Sequence, residues 1–394
     1  MVLSPALEDD TISARQDSSY DSSTTSVAGS DSSDRGAATE ECTLETARVL
    51  QVAREDRRMI DAFSHARGAH CGSTSLHDVA SFGAWDLPEP VCFGVGGGLG
   101  FSYYERDRSP SHEFVGRTPW LETAFFDHLG VDVDEGRGDD ADTAFADLRA
   151  YVDGGRPVVA FVDIYHLPYF DSDVHFGPHV IVVVDADADG VVVADSEFDD
   201  LQRVRREDFD AAWSSPIGFF GPLDRRRLVA RGEPDATKAA AMRAGIRATA
   251  DGLLDPEDAY DGIANAGDGT NGLDGMRAMA WDLPEWPALE DASWCTRFAY
   301  QNVEKRGTGG AAFRGLFRPF LETANEELHG VTNADVVAMR EIEDAWHDVG
   351  QDLKRAGIAD DPDDARAAYE DASERLLAVA DDEEALFSRL QDAV

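Results

Sequence analysis

At 394 residues the chain is long enough for two domains and a sizeable core. It carries 78 acidic against 35 basic residues, a net charge of −43, with only three lysines (Lys238, Lys305 and Lys354). No basic stripe exists to neutralise phosphates, which sets nucleic acid aside as a partner. The acids run through folded-looking segments, as expected of a surface adapted to a halophilic cytoplasm where salt screens their repulsion.

The four cysteines, Cys42, Cys71, Cys92 and Cys295, are scattered without a C-x-x-C pair. Neither a zinc site nor a disulfide framework follows from that spacing, and nothing in the chain calls for a metal or cofactor. There is no basic-then-apolar leader and no apolar run long enough to span a bilayer. A cytoplasmic protein without membrane contact is the expectation.

Residues 1–43 are rich in Ser, Thr, Asp and Gly and lack the apolar content to bury a core, so they read as a disordered acidic tail. A helix is predicted over 44–63. After His70-Cys71-Gly72-Ser73, residues Leu76, Val79 and Ala80 fall on one face of a 3.6-residue period. Gly72, Ser73 and Ser75 are cap-forming types. Cys71 is therefore placed at or just before a helix N-terminus, where unpaired N–H groups and the helix dipole favour thiolate over thiol. It is the candidate nucleophile.

Val91-Cys92-Phe93 reads as a short apolar strand, with Cys92 in the core. The glycine run that follows, 94–100, lacks the Gly-Lys-Ser/Thr of a phosphate loop. Its glycines instead let backbone pass close to the Cys71 helix. Helices are predicted over 120–129 and 141–152. Strands follow at 157–164, 179–184 and 191–194, the last two joined by a turn at 187–190 into an antiparallel hairpin. Residues 203–206 add a short strand and 207–213 a short helix. The polar segment 225–233 reads as a linker. From about Ala236 strand signals vanish, and helices are predicted over 237–254, 271–281, 290–305, 312–327, 333–355, 363–379 and 382–393. The expected layout is a tail (1–43), an α/β domain (44–224) and an all-α domain (236–394).

A thiol nucleophile needs a base near its sulfur and a group to orient that base. His179 begins one strand of the hairpin and Asp195 ends the next, so a tight hairpin sets them opposite each other. A carboxylate beside an imidazole fixes its tautomer and favours the imidazolium, which in turn stabilises a thiolate. His175 is the rival base and His70 a supporting residue. Cys295, on a helix, reads as packing. Glu304 to Gly310 ends a helix in glycines; Arg314 pairs with Glu304 or holds an anionic substrate group, and the internal pair is the favoured reading.

One combination of motifs resembles a known family. His70-Cys71-Gly72-Ser73-Thr74, then Glu89-Pro90 leading into Phe93-Gly94-Val95-Gly96-Gly97-Gly98-Leu99-Gly100-Phe101 and Tyr103, is similar to the N-terminal domain of butirosin biosynthesis protein H. So are Asp163-Ile164-Tyr165-His166-Leu167-Pro168-Tyr169, His175-Phe176-Gly177-Pro178-His179 and Ala194-Asp195. Glu304 to Gly310, Phe313-Arg314 and Phe320-Leu321-Glu322 resemble the uncharacterised helical domain that often follows it. The resemblance implies a papain-like cysteine-peptidase-type α/β (α+β) domain ahead of an all-α domain. It also implies Cys71 as nucleophile, His179 as base and Asp195 as orienter, with His70, Glu89, Gly97, Tyr103 and His175 as expected substrate-binding positions. Gly72 departs from the family pattern, which has Glu or another polar residue there.

The implied reaction is acyl transfer: Cys71 takes an acyl group from an acyl-thioester or acyl-carrier donor and passes it to an amine acceptor. A peptidase or amidase using water on the same triad, and a non-catalytic binding or maturation protein keeping the fold, are the alternatives. The Cys71 N–H is the first oxyanion donor, with Gln51 or a glycine-loop amide as the second. The oligomeric state is left open.

Overall fold

A six-stranded antiparallel sheet carries the candidate chemistry at one end. The computed structural model describes residues 63–219, 221–263 and 268–394, all within one compact unit. The acidic tail, Gln51 and, but for Phe63, the helix expected over 44–63 lie outside the described residues.

The chain opens with helices α1 (Cys71–Phe82) and α2 (Glu89–Val95), then strands β1 (Leu99–Glu105) and β2 (His112–Arg117). Helix α3 (Leu121–Leu129), strand β3 (Asp132–Gly136), helix α4 (Ala141–Asp153) and strand β4 (Val158–Val162) follow. Next come β5 (His179–Asp187), β6 (Gly190–Ala194), β7 (Gln202–Arg205), α5 (Arg206–Trp213) and β8 (Arg227–Arg231). The remainder is helix α6 (Lys238–Leu254), strand β9 (Thr270–Asn271) and helices α7 (Gly272–Asp282), α8 (Ala292–Glu304), α9 (Arg314–Glu327), α10 (Asn333–Ile358) and α11 (Pro362–Ala393). No helix among the described residues is long and apolar enough to cross a membrane.

The large sheet runs β3-β8-β4-β5-β6-β7, and β2-β1-β9 form a second, smaller one. Strand alternation divides the large sheet between two cores. Val158, Ala160, Val162, Ile181 and Val183 face Phe145 and Leu148 of α4 and Phe209 and Trp213 of α5. Val159, Phe161, Val180, Val182 and Val184 face α1 and a core continuous with helices α6 to α11. Burial on both faces is why β4 and β5 read as unbroken apolar runs.

Several expectations are corrected. Val91-Cys92-Phe93 is helical: Pro90 opens a seven-residue helix that is buried from Val91 onward, and so short an apolar run carries no period to reveal it. Residues 225–233 are no linker, since β8 sits between β3 and β4. Its alternation is masked by Arg227, whose buried guanidinium donates to Asp139 and Asp147, both at 2.9 Å. Among the described residues the helical half holds one strand, β9, which pairs antiparallel with β1. Residues 363–379 and 382–393 form the single helix α11. In the glycine run, a Cβ on Gly94 would fall 2.0 Å from the Phe320 ring, so this glycine admits α9 rather than α1.

Arg314 does not meet Glu304. Its guanidinium donates through Nε and Nη2 to the two carboxylate oxygens of Glu383, both at 2.8 Å, and both side chains are wholly buried. Glu304 bonds His347 Nδ1 at 2.8 Å instead.

Candidate active site

Cys71 is the first residue of α1 and stays partly exposed. The N-cap is His70 itself, whose Nδ1 accepts from the Ser73 N–H at 3.2 Å. An amide can only donate, so Nδ1 carries the lone pair and the proton of the neutral ring lies on Nε2. The segment is anchored from α2. The Glu89 carboxylate accepts from the N–H groups of Ala69 and His70 and from the Ser73 and Thr74 hydroxyls, at 2.9 to 3.1 Å. Ser75 Oγ donates to the Val180 carbonyl at 3.2 Å, tying α1 to the strand that begins with His179. At Gly72 a Cβ would stand 2.5 Å from Glu122 Oε1 and 2.9 Å from His70 Cε1. The missing side chain at this position is required by its neighbours.

His179 Nε2 bonds Asp195 Oδ2 at 2.8 Å, and both groups are buried. The ring and the Cys71 sulfur lie close enough for each to shift the other's ionisation, and Nδ1 is the ring nitrogen that the aspartate leaves free. Tyr169 Oη donates to the same Asp195 Oδ2 at 2.8 Å, and the Glu197 N–H to Oδ1 at 3.2 Å. The Phe170 ring stands edge-on to the His179 ring at 5.2 Å. Sequence geometry has the pairing right and its cause wrong. Ala194 pairs with Val182, and a bulge lies between Val183 and Asp185, so Asp195 falls diagonal to His179 rather than opposite it.

Electrostatics favour charge separation across this contact. Burial opposes ionisation of the Cys71 thiol, but His70 and His179 outweigh it and hold the thiol well below its ordinary range. Burial likewise opposes the imidazolium, yet the Asp195 carboxylate and Cys71 push His179 well above the usual histidine range. Asp195 resists the upward push of its own burial and lies below the ordinary carboxylate range because of His179, the Glu197 amide and Tyr169. Since His70 caps the helix through Nδ1, Nε2 is the nitrogen it has left for the sulfur. His179, held well above the usual histidine range, brings a positive charge.

A second buried pair braces the arrangement. His65 Nδ1 lies 2.7 Å from Asp78 Oδ2 on α1, and its Nε2–H donates to the carbonyls of Phe198 (2.8 Å) and Asp195 (3.1 Å). The loop bearing Asp195 is thus fastened to the helix bearing Cys71. Nothing in the spacing of His65 signals this role, and Tyr169 stands in a quoted motif without any hint of its partner.

Of the expected substrate-binding residues, His70 stands at the sulfur. The Glu89 carboxylate is taken up by four donor groups of the Cys71 segment and holds that segment in place. Gly97 and Tyr103 are not brought to the sulfur. Gly97 (φ +58°) lies against Ala248 and Gly245 of α6, and Tyr103 Oη donates to Asp282 at 3.0 Å, so both serve packing. His175 pairs with Asp163 at 2.7 Å, which sets it aside as a rival base. Cys92 and Cys295 are buried. Replacing Glu89 by alanine orphans donors of the Cys71 segment. The expected cost is about 2–4 kcal/mol in urea unfolding, with slower Cys71 alkylation in the folded protein.

A partly exposed thiol at a helix N-terminus, beside an imidazole that a buried carboxylate orients, can form a nucleophilic thiolate and move a proton beside it. Residues 70–196, which span Cys71, His179 and Asp195, match the family model for butirosin biosynthesis protein H, N-terminal; residues 217–390 match a domain of unknown function (DUF4872). Within this chain the segment that matches the butirosin biosynthesis protein H N-terminal model comes first, and the second matched domain follows it in order. No curated protein matches the chain.

Proposed function

We propose that the protein is a cysteine-dependent acyltransferase on a papain-like fold, moving an acyl group from a thioester donor to an amine. The observation that carries this reading is the placing of Cys71 beside the His179 ring, whose far nitrogen bonds Asp195 at 2.8 Å. The family match supports a biosynthetic reaction over protein degradation. In the first step the Cys71 thiolate adds to the donor carbonyl. The C–S bond to the donor breaks, and its departing thiolate takes the proton from His179. In the second step the amine adds to the Cys71 thioester and gives a proton to His179. The new amide leaves, and Cys71 departs as thiolate. First-turn N–H groups of α1, Cys71's among them, have no intrahelical acceptor and suit the developing oxyanion.

The test uses a short acyl thioester of N-acetylcysteamine and intact-mass detection. The expected result is one acyl adduct, absent in Cys71→Ala, that is discharged by an added primary amine with formation of the amide. Release of the free acid alone, at a rate independent of amine, would replace transfer by hydrolysis. No adduct on Cys71 would overturn the enzymatic reading.

A further inference from the structure

The loop between β4 and β5 closes on itself away from the sulfur. Asp163, the residue just after β4, His166 and His175 offer one ligand atom each, all within 4.8 Å of one another. They are the only such group of three among the described residues. We propose that Asp163, His166 and His175 bind a divalent transition-metal ion of the zinc class.

The carboxylate is already oriented for the task. Asp163 is buried, and its Oδ1 accepts from the N–H groups of Tyr165 (3.2 Å) and Phe176 (3.0 Å). Ser215 Oγ, also buried, donates to Oδ2 at 2.8 Å. Outer-shell bonds of this kind fix a ligating carboxylate before the metal arrives. His175 Nδ1 stands 2.7 Å from the same Oδ2. A tetrahedral ion about 2.1 Å from each atom needs that gap to open to roughly 3.4 Å. The ion takes the place of the proton now shared between them. In a neutral His175 that proton moves to Nε2; in an imidazolium it leaves to water.

The rings are held together as well. His175 stacks on Tyr165 at 4.0 Å, and His166 stands edge-on to His175 at 5.7 Å. Two imidazoles and one carboxylate suit Zn²⁺ or Co²⁺ and not the all-oxygen preference of Mg²⁺ or Ca²⁺. His175 is partly exposed, which leaves the fourth position to water. Cysteine spacing could not reveal this site, because its ligands come from a loop and hold no thiol.

The placement gives the ion a consequence. Asp163 and His175 bound the segment that carries Tyr169 onto Asp195 and Phe170 onto His179. An ion joining the two ends would clamp that segment without touching the reacting sulfur.

The test uses the full chain in a Cys71→Ser background, so that no thiolate beside His70 and His179 competes. It is stripped with chelator and kept at about 1 M KCl to screen the acidic surface. Titration with Co²⁺ should give a visible d–d band that saturates at one equivalent and is displaced by Zn²⁺. His166→Gln and His175→Gln should each weaken binding by roughly tenfold or more. His347→Gln, which removes the partly exposed histidine paired with Glu304, should leave it unchanged. Circular dichroism identifies any variant that fails to fold, and the pair of glutamine variants then rests on the other member. Absence of the band, or a band untouched in both variants, would overturn the proposal.

Discussion

Iodoacetamide is expected to alkylate Cys71 faster than an ordinary thiol at neutral pH, with the advantage growing as the solution is made mildly acidic. An ordinary thiol, with a pKa of about 8.5, is only about 3 % ionised at pH 7 and loses reactivity roughly tenfold for each further unit of acidification. The signs are set by the geometry. His70 and His179 overcome burial and hold Cys71 low, while Asp195 and Cys71 overcome burial and hold His179 high. Between those two shifted values the contact is a thiolate–imidazolium pair. Acidification through the lowered cysteine value protonates the sulfur and stops alkylation. Alkalinisation through the raised histidine value leaves the thiolate but removes the proton that the departing donor needs. Turnover should therefore follow a bell, while alkylation shows only its acid limb.

Two substitutions separate the histidines. His179→Ala should slow alkylation at low pH by roughly 100-fold, because the charge goes with the ring. His70→Asn keeps a helix cap and forfeits only one donor to the sulfur, so its effect should be about tenfold or less. Peptide mapping assigns the label. Cys92, whose thiol is pushed well up by burial and by the Glu89 and Asp78 carboxylates, should stay unlabelled in the folded protein. An equal effect of the two histidine substitutions would show that His70 carries the charge instead.

Removal of Glu383 should be the most damaging single change in the helical half. Besides both Arg314 bonds, Glu383 Oε1 accepts from Trp346 Nε1 at 2.9 Å, and Arg314 lies 4.7 Å over the Trp346 ring. Arg314 Nη1 also donates to the Ala312 carbonyl at 2.7 Å. Glu383→Ala leaves a guanidinium buried with no counter-charge, and the expected loss is about 3–5 kcal/mol in urea unfolding. The double change Glu383→Leu with Arg314→Met should restore most of it, because an apolar pair of similar volume carries no desolvation cost. A double variant as unstable as Glu383→Ala would show that the ion pair does more than neutralise itself.

What could be read from the chain is what local chemistry encodes. The apolar faces of α1, α3, α4 and α6, and the hairpin of β5 and β6, follow from period and turn residues. Cys71, His179 and Asp195 are legible because their types and their places at element ends limit what they can do. Partnerships set by the tertiary fold are not legible. Arg314 finds Glu383 across 69 positions, and the arginine-rich β8 looks like a linker until Asp139 and Asp147 surround Arg227. His65 reaches Phe198 across 133 positions with no pattern to announce it. Strands β1 and β2 are missed because the glycine run hides the first and short polar residues flank the second.

The small helix α2 holds the loop of the reactive cysteine on one side, through Glu89, and receives the Phe320 ring against Gly94 on the other. A gene cut between the two matched segments would part Glu89's helix from its support, and neither product should fold by itself. Exchanging the second segment for that of a distant relative would carry the same penalty unless the residue facing Gly94 came along. The two halves of such a protein must then change in step.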